Sequence, residues 1–174
     1  MDNIKITSGK FRGRIVKSPN LKTTHPMGAR EKLALFNMIS EYLPGASVLD
    51  AYAGSGALGI EALSRGVGNA TFVENNPRAV ATIRKNLIDL NLLEYAEILK
   101  SDVKNFLPSK AFNIIIADPP YDTFEIRGVE NLAKFLENGG VFVLSHPGDA
   151  PKINGLFLQK TREYAASKIS IYTK

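Results

Sequence analysis

The sequence predicts an α/β fold: a mostly parallel seven-stranded sheet covered on both faces by helices, with an antiparallel last strand and a small N-terminal β arm. Three observations predict it. Short, near-continuous apolar runs alternate with segments of helical period, the pattern of parallel strands buried on both faces. A glycine-rich turn, Ala53-Gly54-Ser55-Gly56, joins the first of these strands to its helix. The last two strands are separated by only a short turn, too little chain for a parallel crossover.

The elements follow in order. Ile4 to Ser18 mixes apolar and basic residues around Gly9 and Gly13 and reads as a hairpin or extended arm. Ser18-Pro19-Asn20 and His25-Pro26 punctuate the passage onward, and the boundary between arm (1–26) and main domain (27–174) is placed there. Ala29, Leu33, Phe36 and Leu43 recur at helical spacing, giving a helix from about Gly28 to Tyr42 that Pro44-Gly45 stops. Val48 and Leu49 lead into Asp50, then the glycine turn, then a helix from about Ala57 to Arg65 closed by Gly66. Ala70 to Val73 is a strand ending in Glu74, and Asn76-Pro77 caps and opens the next helix, with Val80, Ile83, Leu87 and Leu90 as its buried face. Strands follow at 96–99 and 113–117. A helix marked by Val129, Leu132, Ala133 and Leu136 ends at Gly139-Gly140, and strands at 141–144, 156–163 and 168–172 complete the chain.

The 174 residues and 44% hydrophobic content suffice for one domain with a real core. There is no cysteine, which excludes disulfides, cysteine–zinc sites and thiol nucleophiles. The two histidines, His25 and His146, are far apart and each precedes proline; both read as loop residues, and no metal is expected. No apolar run approaches a membrane span and the N-terminus lacks a secretory apolar core, so a cytoplasmic protein without a membrane partner is expected. Of the net +5, residues 1–30 carry seven basic residues against Asp2. A basic arm on a nearly neutral body fits a polyanionic partner, with Lys10, Arg12, Arg14 and Arg30 as candidate contacts.

Candidate chemistry lies at the strand ends, where sheets of this kind bind ligands. Asp50 and the turn Ala53 to Gly56 follow the first strand. Glu74, 20 residues beyond Gly54, ends the second and can accept hydrogen bonds from both hydroxyls of a ribose. Asp102, after the third, either accepts from an adenine amino group or caps the segment 103–107. After the fourth stands Asp118-Pro119-Pro120-Tyr121. The prolines stiffen the backbone and remove two N–H donors, leaving carbonyls and the Asp118 carboxylate as acceptors beside an aromatic face. That combination suits an exocyclic amine on a planar base.

Taken together, these residues resemble the class I S-adenosylmethionine-dependent methyltransferases with a Rossmann-like fold. They are most similar to the family of 16S ribosomal RNA guanine-N2 methyltransferases of the RsmD type. Ser8-Gly9-Lys10-Phe11-Arg12-Gly13-Arg14 resembles that family's basic arm, Arg30 with Leu35-Phe36-Asn37 its first helix, and residues 49–66 its glycine turn almost position by position. One departure is Met27-Gly28-Ala29-Arg30, where the family usually reads T-T-D-R. The resemblance implies that Asp50 and the turn hold the methionine part of S-adenosylmethionine, Glu74 its ribose and Asp102 its adenine. It further implies that Asp118, Pro119, Pro120 and Tyr121 hold the target guanine, and that ribosomal RNA, naked or in a small-subunit particle, is the partner of a monomeric enzyme. The alternative is adenine-N6 methylation of RNA or DNA, which uses the same tetrapeptide. A nicotinamide oxidoreductase would share the glycine turn but has no use for Asp118 to Tyr121, and pyrimidine C5 methylation normally needs a cysteine.

Overall fold

The structure, a computed structural model, describes residues 3–19, 27–164 and 167–174. His25 and Lys22 lie outside the described residues, as does most of the passage at the arm boundary. Two short strands, β1 (Asn3–Lys5) and β2 (Ile15–Lys17), form an antiparallel pair with Ile4 opposite Val16, the hairpin expected of the arm. The main sheet contains β3 (Ser47–Ala51), β4 (Asn69–Glu74), β5 (Ala96–Lys100), β6 (Phe112–Ala117), β7 (Leu136–His146), β8 (Phe157–Glu163) and β9 (Lys168–Thr173). Its order is β5-β4-β3-β6-β7-β9-β8. The first five pair in parallel, and β9 lies antiparallel to both β7 and β8. The seven strands and the antiparallel last strand match the expectation. The chain winds outward from β3 to β5 and returns to β6 on the other side of β3, so the switch point lies between β3 and β6.

Strand alternation divides the core. Val48, Phe72, Ile114, Ile116 and Val143 face helices α1 (Ala29–Met38), α2 (Ala57–Ser64) and α3 (Pro77–Asp89). Leu49, Val73, Ile115, Phe142 and Leu144 face the other way, toward α4 (Ile126–Ala133) with Val103, Phe106 and Ile153. Coverage is therefore unequal: the crossover from β5 to β6 contains only a one-turn 3₁₀ helix, Val103–Asn105.

Three boundaries and one histidine depart from the sequence reading. α1 stops at Met38 and a separate 3₁₀ turn spans Ser40–Tyr42. Its buried face is Lys32, Leu35 and Phe36, while Leu33 is exposed; a buried lysine breaks the apolar period that a reader counts. α4 ends at Ala133, and Leu136 already belongs to β7. The Gly139-Gly140 pair lies inside that strand, where the pairing with β6 is irregular between Phe112 and Ile114. His146 is a buried strand residue whose Nε2 lies 2.8 Å from Ser170 Oγ, not a loop residue.

The arm is fastened to the body by α2. Glu61 is fully buried and accepts from Thr7 N–H (2.8 Å), Thr7 Oγ1 (2.7 Å), Ser8 N–H (3.0 Å) and Arg65 Nε (2.9 Å). Lys32 Nζ, also buried, lies 3.3 Å from the same carboxylate and donates to Lys5 C=O at 2.9 Å. One turn on, Ser64 Oγ donates to Ser8 C=O and accepts from Phe11 N–H. Gly9 sits so close to Ser64 that a Cβ would fall 1.8 Å from its carbonyl oxygen, and its φ of +80° is one that side chains rarely adopt. Only glycine fits there. On α3, buried Asn86 accepts from Lys17 N–H and donates to Lys17 C=O and Ser55 C=O, each at 3.0 Å, joining β2 to the glycine turn.

Burial pushes the Glu61 carboxyl up, but the donors of Thr7, Arg65 and Lys32 outweigh it and hold the group below its ordinary value. A depressed carboxylate pKa contributes stability above its unfolded value that is lost as pH falls through the folded one. Glu61→Gln is therefore expected to cost about 3–5 kcal/mol at neutral pH, because the buried Lys32 and Arg65 lose their counter-charge. Denaturant titrations at several pH values should show this gap narrowing as pH falls below the ordinary glutamate value and closing only once it has passed the lowered value of folded Glu61. A gap independent of pH would contradict the assignment.

Candidate functional site

The switch point opens into a cleft of about 540 Å³, within the range of small-molecule sites. Ala53, Gly54 and Ser55 line it, with Glu74, Asp102, Asp118, Pro119, Pro120 and Tyr121. Nine of the residues singled out for cofactor or base thus converge in one place. The four strand ends do so because all point the same way in a parallel sheet.

The glycine turn organises one end. Gly54 and Gly56 have φ of +55° and +77°, and the turn closes with Gly56 N–H on Ala53 C=O at 2.7 Å. Tyr52, with φ of +63°, carries the same left-handed backbone without being glycine. Such a residue stores strain that its surroundings must hold. Glu74 fixes the turn to the second strand end: Oε2 accepts from Gly54 N–H and Oε1 from Asn76 N–H, both at 2.8 Å. Each oxygen retains a lone pair for a further donor. Asp102 accepts from Lys104 N–H at 2.9 Å through Oδ1 and also lines the cleft, so capping and ligand contact are compatible in this residue.

Asp50 departs from the expected placement. It is not among the cleft-lining residues; its carboxylate is buried behind the turn and accepts from Gly59 N–H at 2.8 Å. Burial raises its pKa well above the ordinary value, against the pull of the Gly59 N–H, and the charges of Asp118 and Glu74 push the same way. Asp50 holds the start of α2 against β3. Gly56 likewise lies behind the lining, as the N-cap of α2. Lys10, Arg12, Arg14 and Arg30 are exposed and outside the cleft.

The other end is built around Asp118. Its carboxyl is raised to about 6, mainly by burial, with the charge of Glu31 adding and a hydrogen bond from Ser145 opposing. Ser145, at the end of β7, also lies 2.5 Å from the Tyr121 hydroxyl. Burial raises the Tyr121 phenol too. Ser145 escaped the sequence reading although its signal was present: it is a fifth polar strand end, directly after Val141 to Leu144. Glu31, Met27, Ser18 and Pro19 also line the cleft. Nothing in their local pattern marks them, because α1 and the arm reach the cleft only through folding.

The sheet order, with a glycine turn of left-handed backbone and a carboxylate held by two backbone donors at its switch point, defines a Rossmann-like fold with a cleft at the strand ends. Solved structures of the same fold include the Escherichia coli protein yhhF, with a TM-score of 0.89 at 27% identity over 99% of this chain and 98% of that one. The chain belongs to the family described as Conserved hypothetical protein 95, whose model matches residues 4–173. The Bacillus subtilis protein YlbH is 32% identical over 98% of this chain and 99% of its own length. The Escherichia coli protein named ribosomal RNA small subunit methyltransferase D is 36% identical over 79% of this chain and 68% of its own. The family resemblance read from the motifs is borne out. No helix among the described residues is long and apolar enough to cross a membrane.

If Asp50 acts by holding Gly59 N–H, Asp50→Ala leaves a buried donor unpaired and should cost about 1–3 kcal/mol. Asp50→Asn, whose amide oxygen still accepts and which carries no buried charge, should be close to wild type. Equal loss in both variants, measured by chemical denaturation, would point to the charge instead.

Proposed function

We propose that this chain transfers a methyl group from S-adenosylmethionine to the exocyclic N2 of a guanine in small-subunit ribosomal RNA. The observation that carries the reading is Asp118-Pro119-Pro120-Tyr121 sharing one cleft with the Glu74-anchored glycine turn. The names of the relatives support it: the Escherichia coli and Buchnera aphidicola proteins are both named for methylation of small-subunit ribosomal RNA. A ribosomal substrate would place the enzyme in the cytoplasm.

The cleft residues fit the cofactor by their donor set. Glu74 offers carboxylate lone pairs to vicinal hydroxyls beside the open backbone of Gly54, and Asp102 offers an acceptor to an amino group. S-adenosylmethionine supplies a methyl already activated on a sulfonium, so this chain needs no strong nucleophile of its own. Its task is alignment of a poorly nucleophilic amine, which can be worth several kcal/mol. Asp118 and the Pro119 carbonyl accept the two N2 hydrogens and strengthen as positive charge grows on nitrogen. On methylation the N2 nitrogen would give up one proton, which Asp118 would take and pass to solvent. Tyr121, its hydroxyl tethered to Ser145, offers a ring to a base swung out of its helix. The exposed Lys10, Arg12 and Arg14 would meet phosphates outside the cleft.

The test is methyl transfer from labelled cofactor to total RNA and to small-subunit particles, followed by nucleoside analysis; N2-methylguanine is expected. N6-methyladenine as sole product would overturn the reading in favour of the alternative. Asp118 must be ionised to accept, so turnover should fall as pH drops through about 6. Asp118→Asn should lose most turnover and that acid limb while keeping cofactor affinity. Glu74→Ala should weaken cofactor binding roughly ten- to hundredfold by calorimetry, the value of a charged acceptor shared by two hydroxyls. Unchanged affinity in the folded variant would remove Glu74 from the cofactor site.

A further inference from the structure

The acceptors at Asp118 and Pro119 do not by themselves choose a base. An adenine N6 amine presents the same two hydrogens as a guanine N2 amine. The bases differ at N1: guanine carries an N–H donor there, adjacent to N2, whereas adenine carries a bare acceptor. A guanine-selective cleft needs a second acceptor beside the first.

We propose that Glu31 is that acceptor: it lines the cleft with Asp118, Tyr121 and Ser145, and its carboxylate receives the N1–H of the target guanine. This rests on the methyl-transfer reading above and deepens it. Glu31 stands in the first turn of α1, and Oε2 accepts from Gly28 N–H at 3.1 Å. That bond fixes the side chain at the helix start. Its charge reaches groups from several elements around the cleft: it adds to the burial that raises Asp118 and Tyr121, and it acts on Tyr164 beyond the end of β8. Glu31 thus lines, from the first turn of α1, the same cleft that Asp118 and Tyr121 line from the end of β6. It also supplies a carboxylate near the start of α1, where Met27-Gly28-Ala29-Arg30 carries none.

A carboxylate facing N1 accepts from guanine and repels the lone pair of adenine. A hydrogen-bonding site that leaves a charged acceptor facing another acceptor discriminates far more strongly than one that differs only in shape. The reading thus assigns two acceptors to two adjacent donors: Asp118 with Pro119 to N2, where the methyl goes, and Glu31 to N1, where identity is read.

Glu31→Gln separates this role from helix capping, because glutamine also serves as the side chain that returns to an N-cap N–H. The substrates are small-subunit particles carrying either guanine or 2-aminopurine at the nucleotide mapped by the product analysis above. 2-Aminopurine keeps the N2 amine but has a bare N1 acceptor. Wild type should prefer guanine strongly. Glu31→Gln, whose amide donates to a bare N1, should reduce the guanine to 2-aminopurine ratio of kcat/KM by roughly tenfold or more, with cofactor affinity unchanged. A wild type that methylates guanine while Glu31→Gln keeps the same ratio, or loses both substrates equally down to inactivity, overturns the proposal and leaves Glu31 a helix cap. A wild type that makes no N2-methylguanine overturns the proposed function itself, so the two failures are distinguishable.

Discussion

One buried carboxylate holds this molecule's parts in register. Glu61 takes donors from the arm (Thr7 and Ser8), from α1 (Lys32) and from its own helix (Arg65). Arg65 in turn donates to Thr7 Oγ1 at 3.0 Å and lies over the ring of Phe36. A charge this deeply buried is tolerable only when its partners are complete, so each of the three segments must be in place for the others. Burial lowers the Lys32 ammonium below its ordinary value despite the attraction of Glu61, and the Arg65 charge adds to that lowering. The arrangement is a poor source of net stability but a strict specification of geometry.

That geometry matters because α2 serves both ends at once. Its N-terminus receives the glycine turn, held from behind by Asp50 and from the side by Asn86. Its C-terminus receives the arm. Asn86 closes the circuit, since the amide that holds Ser55 also pairs with the backbone of Lys17, one residue before the arm enters the cleft wall at Ser18 and Pro19. The arm is thus part of the wall beside the turn, with Ile4, Ile6 and Val16 in the same core as α1 and α2. Its basic side chains Lys10, Arg12 and Arg14 face outward, as does Ile15. Arm and cleft are structurally continuous, so the placement of the arm and the shape of the cleft are set together.

The cleft shows the usual tension between stability and activity. Asp118 is a cleft carboxylate that burial raises to about 6, so its ionised form opposes folding at neutral pH. Tyr52 holds a left-handed backbone in the turn itself, with its hydroxyl 3.1 Å from where a Cβ on Gly128 would sit. Both are costs offset by the core on either side of β3 and β6.

The sequence by itself determined the fold class, the order of the elements and most of the cleft. Parallel strands carry their chemistry at one end, so Gly54, Glu74, Asp102 and Asp118 could be found as strand endings without knowing the sheet order. The polar and glycine signals there are local: a turn needs glycine and a strand end can carry an acid. Only the tertiary structure decided what depends on contacts between distant segments. It turned Asp50 from a cleft residue into a support for Gly59, because direction across a strand, and not position along it, sets what a side chain meets. It gave Lys32 and Glu61 their burial, 29 residues apart in the chain, where sequence shows only two charges on two helices. It also brought Glu31 and Ser145 to Asp118. No pattern in a single segment could have done so, since each reaches the cleft from a different element and their meeting is a property of the packed sheet.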